Sequence, residues 1–423
     1  MKVTLDTEDI LHDLTILFAI FLVYITFQHR AWITSVISRF TTTSTTRKPS
    51  STPKSNRRKD EVSSNNKDKK GSRVGIRLTG VDENEEKKTE TDTNRCKGEH
   101  QSSIEKSDYE ILYRKPPSKI RLEWDSRPTK IYVIKKWHDD TATKSLAELS
   151  KWLMDERSIT VYADKDALKD LPQLSNIEEL EDASHHIDLI LCLGGDGTVL
   201  HACSLFEENV PPIVAFNFGS MGFLTPFEFK RYKEDLNSVL EGQCYAKIRL
   251  RLECSVVDES GNTTQTHQVF NEVVLDRGSS PYLSSLNCYC DDRMITNVQA
   301  DGVIVATATG STAYSLSAGG SLIHPQLPAM LFTPICPHSL SFRPVVMPAS
   351  VTLKIEVPSD SSASAFVSFD GRHRTELSKG MSVSIKVSNW PVPTVVRTME
   401  IGDWFHSLAV HLNWNQRVQQ KSK

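Results

Sequence analysis

The chain has 423 residues and a formal net charge of −3, so it is long enough for two medium domains and lacks the basic excess of a nucleic-acid binder. Its eight cysteines form no C-x-x-C pair, and Cys288-x-Cys290 would fall on one face of a strand. That spacing argues against zinc and suits reduced thiols in a cytosolic setting.

In chain order, Leu14 to Phe27 is almost wholly apolar, and Trp32, Ile33, Val36 and Ile37 lengthen the run if Arg30 snorkels to an interface. Acids precede it (Asp6, Glu8, Asp9, Asp13) and bases follow (Arg30, Arg39, Arg47, Lys48). The expectation is a membrane-anchor helix within residues 1–40, spanning 14–37, with the rest of the chain in the cytoplasm. A buried or surface amphipathic helix is the alternative. Residues 41–117 are rich in Ser, Thr, Lys, Asn and Glu, bury too little to offset the entropy of ordering, and read as a disordered linker.

Residues 118–243 read as an α/β domain. Lys130 to Ile134 and Ile159 to Tyr162 have strand composition, and Thr143 to Glu156 places Leu146, Leu149 and Leu153 on one helical face. Ile187 to Leu193 looks like a buried strand, Val199 to Phe206 a helix, and Pro211 to Phe216 a further strand. Alternating strands and helices imply an open sheet that binds ligands beyond its strands' C-terminal ends. From residue 244 to 402 strand-length segments dominate (247–257, 268–275, 286–290, 303–307, 351–357, 365–369, 382–387), with one helix expected over 311–319. This predicts a second, β-rich domain of β-sandwich type. Residues 403–423 return to helix, with Asp403 as cap and Trp404, Leu408, Leu412 and Trp414 on one apolar face that packs back on the folded part.

Two turns carry the chemistry. Gly194-Gly195-Asp196-Gly197-Thr198 joins a strand to a helix. Glycines there let backbone N–H groups approach a phosphate at a helix start, so Gly194, Gly195 and Thr198 are assigned to phosphate. Asp196 would repel that phosphate unless it orients a hydroxyl or holds a metal; a phosphate turn carrying an acid suggests phosphoryl transfer. Neither a G-x-x-x-x-G-K-[ST] loop nor an H-R-D signature is present. The second turn lies in Asp301 to Tyr314, where Gly310 and Ser311 supply another anion-ready helix start, Tyr314 an aromatic face and Asp301 an acceptor. Asn271-Glu272 sets a polar pair against an apolar run, a costly arrangement if buried without partners. His324, His338 and His373 are read as structural.

Together these residues resemble the NAD kinase family in its animal cytosolic form, over about residues 120–414. The glycine turn is shared with diacylglycerol, sphingosine and phosphofructo-kinases. Asn271-Glu272, Asp301 to Tyr314, Gly222-Phe223-Leu224-Thr225-Pro226 and Pro337 to Pro344 are more specific. The resemblance implies transfer of the ATP γ-phosphate to the 2′-hydroxyl of NAD's adenosine ribose, giving NADP, in a cleft between the two domains. It carries over Asp196 as the group that takes the hydroxyl proton, and Gly197, His201, Asn271, Glu272, Asp301, Thr312, Ala313, Tyr314 and Ser317 as NAD contacts. Ala308 stands where the family motif has proline, which removes a ring restraint before Gly310. An ordinary carboxylate is a weak base toward an alcohol, so Asp196 works mainly by alignment and takes the proton late. Mg²⁺ is expected on the ATP phosphates and water, with no side chain assigned as its ligand. NAD, ATP and further copies of the chain in a homo-oligomer are the expected partners. A lipid kinase, or an NAD-binding scaffold without catalysis, are the alternatives.

Overall fold

A computed structural model describes residues 76–81, 119–171, 176–180, 186–219, 221–397 and 402–415. The 14–37 segment and most of the 41–117 linker lie outside them. No helix among the described residues is long and apolar enough to cross a membrane.

The α/β domain is built on a ten-stranded sheet. Four parallel strands form its centre, in the order Ile213–Asn217, Leu189–Leu193, Lys130–Lys135, Thr160–Ala163. Leu189–Leu193 and Ile213–Asn217 are buried along their whole length, as continuous apolar runs covered on both faces should be. The helix Asp140–Arg157 follows Lys130–Lys135. Its N-terminus is fixed by the Asp139 carboxylate, which accepts from the Ala142 N–H at 3.0 Å. It ends at Ser158 in the left-handed region (φ 55°), whose N–H returns to Leu153 and Met154 carbonyls. Leu146, Leu149 and Leu153 are fully buried against the sheet, as their spacing predicts. Lys130–Lys135 and Leu189–Leu193 are neighbours whose onward connections run in opposite directions across the sheet. That reversal opens a crevice at their C-terminal ends, where Lys136 and Gly194 sit.

The second domain holds two six-stranded antiparallel sheets. One contains Leu252–Val257, Ser284–Cys290 and Ser382–Val387; the other contains Glu272–Asp276, Gly302–Thr307, Ala329–Ile335 and Ala365–Phe369. Their inward residues share one core, including Leu252, Leu286 and Ile385 from the first sheet and Val273, Val303 and Val367 from the second. The fold class is the one expected: an open α/β domain and a β-sandwich.

Four local expectations change. Within the segment read as linker, Ile76–Val81 forms a strand antiparallel to Lys119–Trp124 at the edge of the first sheet. A short alternating run surrounded by polar sequence can still satisfy its backbone on a free sheet edge. The boundary at residue 244 also moves. Cys244–Arg249 and Val392–Val396 pair with each other and belong to the first sheet, so the chain leaves that sheet after Arg249 and returns near its end. The helix expected over 311–319 is a 3₁₀ turn, Thr309–Thr312, and one helical turn, Tyr314–Ser317, interrupted by the non-helical backbone of Ala313. Asp403 is not a cap but lies in the first turn of Gly402–Leu412, where it faces Lys247. Only Ser407 and Leu408 of that helix are buried, and Leu412 and Trp414 are exposed.

Candidate active site

The strand Leu189–Leu193 delivers Gly194, whose N–H donates to the Phe216 carbonyl at 3.0 Å. A Cβ on Gly194 would stand 2.3 Å from Thr198 Oγ1, so the turn tolerates only glycine there. Asp196 opens the helix Asp196–Ser204, a favourable place for an acid. Its two carboxylate oxygens accept from the N–H groups of Phe223 at 3.1 Å and Leu224 at 3.0 Å. The acid is therefore aimed by a second loop. Gly222 passes directly beneath it: a Cβ there would lie 2.1 Å from Asp196 Oδ1. Gly195 and Gly197 are exposed and face open space, leaving their backbone accessible to a ligand.

The second turn is tied to Asn271-Glu272. The Thr307 N–H donates to the Asn271 carbonyl at 2.8 Å, and Thr307 Oγ1 donates to the Phe270 carbonyl at 2.8 Å. The same hydroxyl accepts from the Gly310 N–H at 3.0 Å. Gly310 rests so closely on Asn271 that a Cβ would meet its carbonyl oxygen at 2.2 Å. Ala308 has φ −58°, the value proline would impose, and Ser311 Oγ closes the turn by donating to its carbonyl at 2.7 Å. The missing ring therefore leaves the turn intact.

Beneath this loop Asp370 accepts from three consecutive N–H groups, Phe270 at 2.7 Å, Asn271 at 2.8 Å and Glu272 at 3.1 Å. Glu272 is buried; Tyr314 supplies it a backbone N–H, while its Oε2 finds no partner. Burial, with the charge of Asp370 adding to it, pushes the Glu272 carboxyl up from 4.5 to about 8. The folded state thus holds a proton that the unfolded chain releases. Stability from this group is complete below pH 4.5 and is lost progressively as pH rises to about 8. Replacing Glu272 by glutamine should flatten that decline; melting temperatures of the ligand-free protein between those limits check it.

The two turns converge. Phe270 packs in one buried cluster with Val199, Ala202 and Leu224, joining the second domain to the Asp196 helix and its loop. Arg372 reaches from the Asp370 hairpin to Ser204 Oγ at 2.8 Å and His201 Nδ1 at 3.4 Å. Burial lowers the His201 pKa, and the Arg372 charge adds to that; Trp137 packs edge-on against its ring. Arg249 donates to Thr309 Oγ1 at 3.4 Å in the second turn and lies within the field of Asp196. Asp196 and His201 from the first domain and Asn271, Glu272, Gly310, Ser311, Thr312 and Ala313 from the second thus lie on elements that meet where the domains pack, with Glu272, Gly310 and Ser311 buried and Tyr314 and Ser317 exposed. Asp301 does not. It sits at the far end of the strand Gly302–Thr307, a strand length of about 20 Å at about 3.3 Å per residue, and pairs with Arg277 at 2.7 Å.

Several residues important to this geometry escape the sequence reading. Asp370 was signalled only by the Asp370-Gly371 pair of a tight hairpin. Arg251, fully buried, donates to the carbonyls of Phe206 and Glu208 at 2.6 Å each, tying down the segment that follows the Asp196 helix. Its signal is a charge repeated at Lys247, Arg249 and Arg251 in an otherwise strand-like run.

Fold and site together define a two-domain protein, an open α/β domain joined to a β-sandwich, with a glycine-cradled carboxylate where they meet. The sequence matches the ATP-NAD kinase N-terminal domain over residues 130–244 and the ATP-NAD kinase C-terminal domain over 270–397. The chain belongs to the NAD kinase family. It is 45% identical over 314 residues to "Probable NAD kinase 2, chloroplastic" of Oryza sativa subsp. japonica, covering 71% of this chain but only 32% of that protein. It is 40% identical over 338 residues to the "NAD(+) kinase" of Saccharomyces cerevisiae, covering 72% and 62%. Among solved structures, yeast NADH kinase complexed with NADH aligns with a TM-score of 0.68 at 33% identity, over 73% of this chain and 95% of that one. The chain thus spans about a third of the rice relative's length.

Proposed function

We propose that the chain is an ATP-dependent NAD kinase, transferring the γ-phosphate of ATP to the 2′-hydroxyl of NAD's adenosine ribose. Family membership supports this, and the observation that carries it is the Asp196 carboxylate, fixed by two backbone N–H groups at the mouth of the interdomain cleft. The bond from the 2′-oxygen to the γ-phosphorus forms as the bond from that phosphorus to the ADP oxygen breaks. Asp196 aligns the hydroxyl and takes its proton, so NADP and ADP leave. The transition state of such transfers is loose, and positioning supplies most of the rate. Among the described residues no three His, Cys, Asp or Glu side chains cluster to hold a metal. Mg²⁺ is proposed to enter with the ATP substrate, held by its phosphates and water. Gly194, Gly195, Thr198, Gly310 and Ser311 are proposed to face phosphates; Gly197, His201, Asn271, Glu272, Thr312, Ala313, Tyr314 and Ser317 are proposed to face NAD. The catalytic part is proposed to be cytoplasmic, tethered by residues 14–37. Incubating the full chain with ATP, Mg²⁺ and NAD should give NADP; NAD binding without ATP consumption would instead identify a scaffold.

The remoteness of Asp301 supports a homo-oligomer in which this acid completes a neighbouring copy's site. Tyr282 and Leu283 on the adjoining loop, and Met294, Ile295, Val345 and Val346 on two edge strands, are exposed apolar residues suited to such contact. Co-expressing Asp196→Asn with Asp301→Ala chains should then restore activity that each variant lacks alone. Absence of recovery in verified mixed oligomers would confine Asp301 to its own chain.

A further inference from the structure

Arg372 ties together the two parts of the molecule that carry the proposed chemistry. Its backbone belongs to the second domain, where the pair Asp370-Gly371 turns the strand Ala365–Phe369 into the strand Arg372–Leu377. That hairpin is fixed to the Asn271-Glu272 segment twice over. Asp370 accepts from the N–H groups of Phe270, Asn271 and Glu272. The His267 ring stacks on Phe369 with centroids 4.3 Å apart and on His373 with centroids 4.9 Å apart. The head of Arg372 reaches the first domain. One nitrogen, Nη1, meets Ser204 Oγ at 2.8 Å and His201 Nδ1 at 3.4 Å, both in the last turn of the helix that Asp196 opens.

The donor and acceptor roles at this contact follow from chemistry. A guanidinium only donates, so His201 Nδ1 must present a lone pair, and the ring proton sits on Nε2. Ser204 Oγ donates to the His201 carbonyl at 2.8 Å, which leaves its lone pairs for Arg372. The C-terminal end of a helix also favours a cation. The contact therefore requires a neutral His201; a protonated ring would lose its bond and set two cations side by side. Facing that ring are the Arg372 guanidinium, the Asp164 carboxylate, which accepts from the Tyr132 hydroxyl, and the uncharged Trp137 indole. Burial is the largest influence and lowers the His201 pKa from 6.5; Asp164 opposes it and Arg372 reinforces it. The contact is thus complete near neutral pH and is lost as pH falls through the lowered value.

We propose that Arg372 is a positioning residue for the phosphoryl transfer: by bonding His201 and Ser204 it holds the Asp196 helix at a fixed spacing from Asn271 and Glu272. The acid proposed to align the hydroxyl and the segment proposed to hold NAD lie on different domains, so a small change in that spacing misplaces the hydroxyl. Arg372 acts through the helix and not on the reacting atoms. Protonation of His201 releases this strut, which makes the spacing sensitive to acid. The inference rests on the kinase reading and deepens it.

Steady-state kinetics on the full chain, with ATP and NAD varied separately from about pH 5 to about pH 8, test it. Arg372→Met keeps the apolar stem and removes every donor. Near neutral pH it should lower kcat about tenfold or more while both KM values stay within about threefold. Arg372→Lys, which returns one donor to Ser204, should recover part of the loss. Ser204→Ala, made on the other domain, should cost less and add nothing to Arg372→Met. Acid releases the natural chain's own strut, so its advantage over Arg372→Met should shrink toward equality as pH falls. His267 and His373 titrate in both enzymes, and a gap between the two that is the same at every pH overturns the proposal. So does an Arg372→Met effect confined to the KM values, which would make Arg372 a ligand contact. If the natural chain makes no NADP, the kinase reading fails first. Proton NMR of the ligand-free chain then decides the strut by itself. The His201 ring, assigned by its loss in His201→Gln, should titrate at higher pH in Arg372→Met than in the natural chain, and an unchanged midpoint overturns the contact.

Discussion

Replacing Asp196 by asparagine should lower NADP formation by about 10²–10⁴-fold while NAD affinity changes little. The size follows from the loss of a positioned proton acceptor. The selectivity follows from where the side chain sits. Its carboxylate is bonded to the Phe223 and Leu224 N–H groups, whereas Asn271, Thr312 and Tyr314, proposed to face NAD, lie on the other domain. Asparagine keeps the volume and one acceptor but turns an amide donor toward the second N–H, so the loop loses about one hydrogen bond, about 1 kcal/mol. Turnover measured beside calorimetric NAD binding separates the two effects. An equal loss of both would make Asp196 a structural end to its helix and not the group at the reacting hydroxyl.

Gly222→Ala should be a second catalytic lesion, produced without touching a polar group. The added Cβ would stand 2.1 Å from Asp196 Oδ1 and 2.8 Å from Thr225 Oγ1. Both are side-chain ends and not backbone, so the cost to the fold is that of moderate overpacking, about 1–3 kcal/mol. The group that must rotate, however, is the carboxylate proposed to orient the hydroxyl. A displacement of about 1 Å at such a group costs about 10²-fold in rate. The variant should therefore melt within a few degrees of the natural chain and turn over about 10²-fold more slowly. Gly310→Ala makes the contrast, because its Cβ would strike the Asn271 backbone carbonyl at 2.2 Å, an atom that cannot swing aside. Stability and turnover should fall together there. A Gly222→Ala enzyme of normal rate would show that Asp196 needs no such support.

The parts of this architecture visible in the sequence are those set by local pattern. Continuous apolar runs before Gly194 and at Ile213–Asn217 announced buried parallel strands, and Leu146, Leu149 and Leu153 announced the helix that covers them. The glycine turn announced Asp196, because a strand, three glycines and a helix leave little choice of conformation. Long-range pairing was not visible. Val392–Val396 falls inside the 244–402 segment assigned to the second domain, and its return to the first sheet depends on Cys244–Arg249, nearly 150 residues away in the chain. The same holds for Gly222 and Asp370: one matters for what passes above it, the other for three N–H groups a hundred residues upstream. Arg249 and Arg251 were missed because a charged residue in a strand is ordinarily read as facing water, whereas here both are buried. The family resemblance placed Asp301 at the NAD site, yet its own chain holds it at the opposite end of a strand, which only the three-dimensional course of Gly302–Thr307 reveals.

The most direct measurement is a structure of the protein with NAD bound. The adenosine ribose should lie between the glycine turn and Asn271, with its 2′-oxygen about 2.6–3.2 Å from an Asp196 carboxylate oxygen. A dinucleotide bound with that ribose turned away from Asp196, or with another hydroxyl in its place, would contradict that placement.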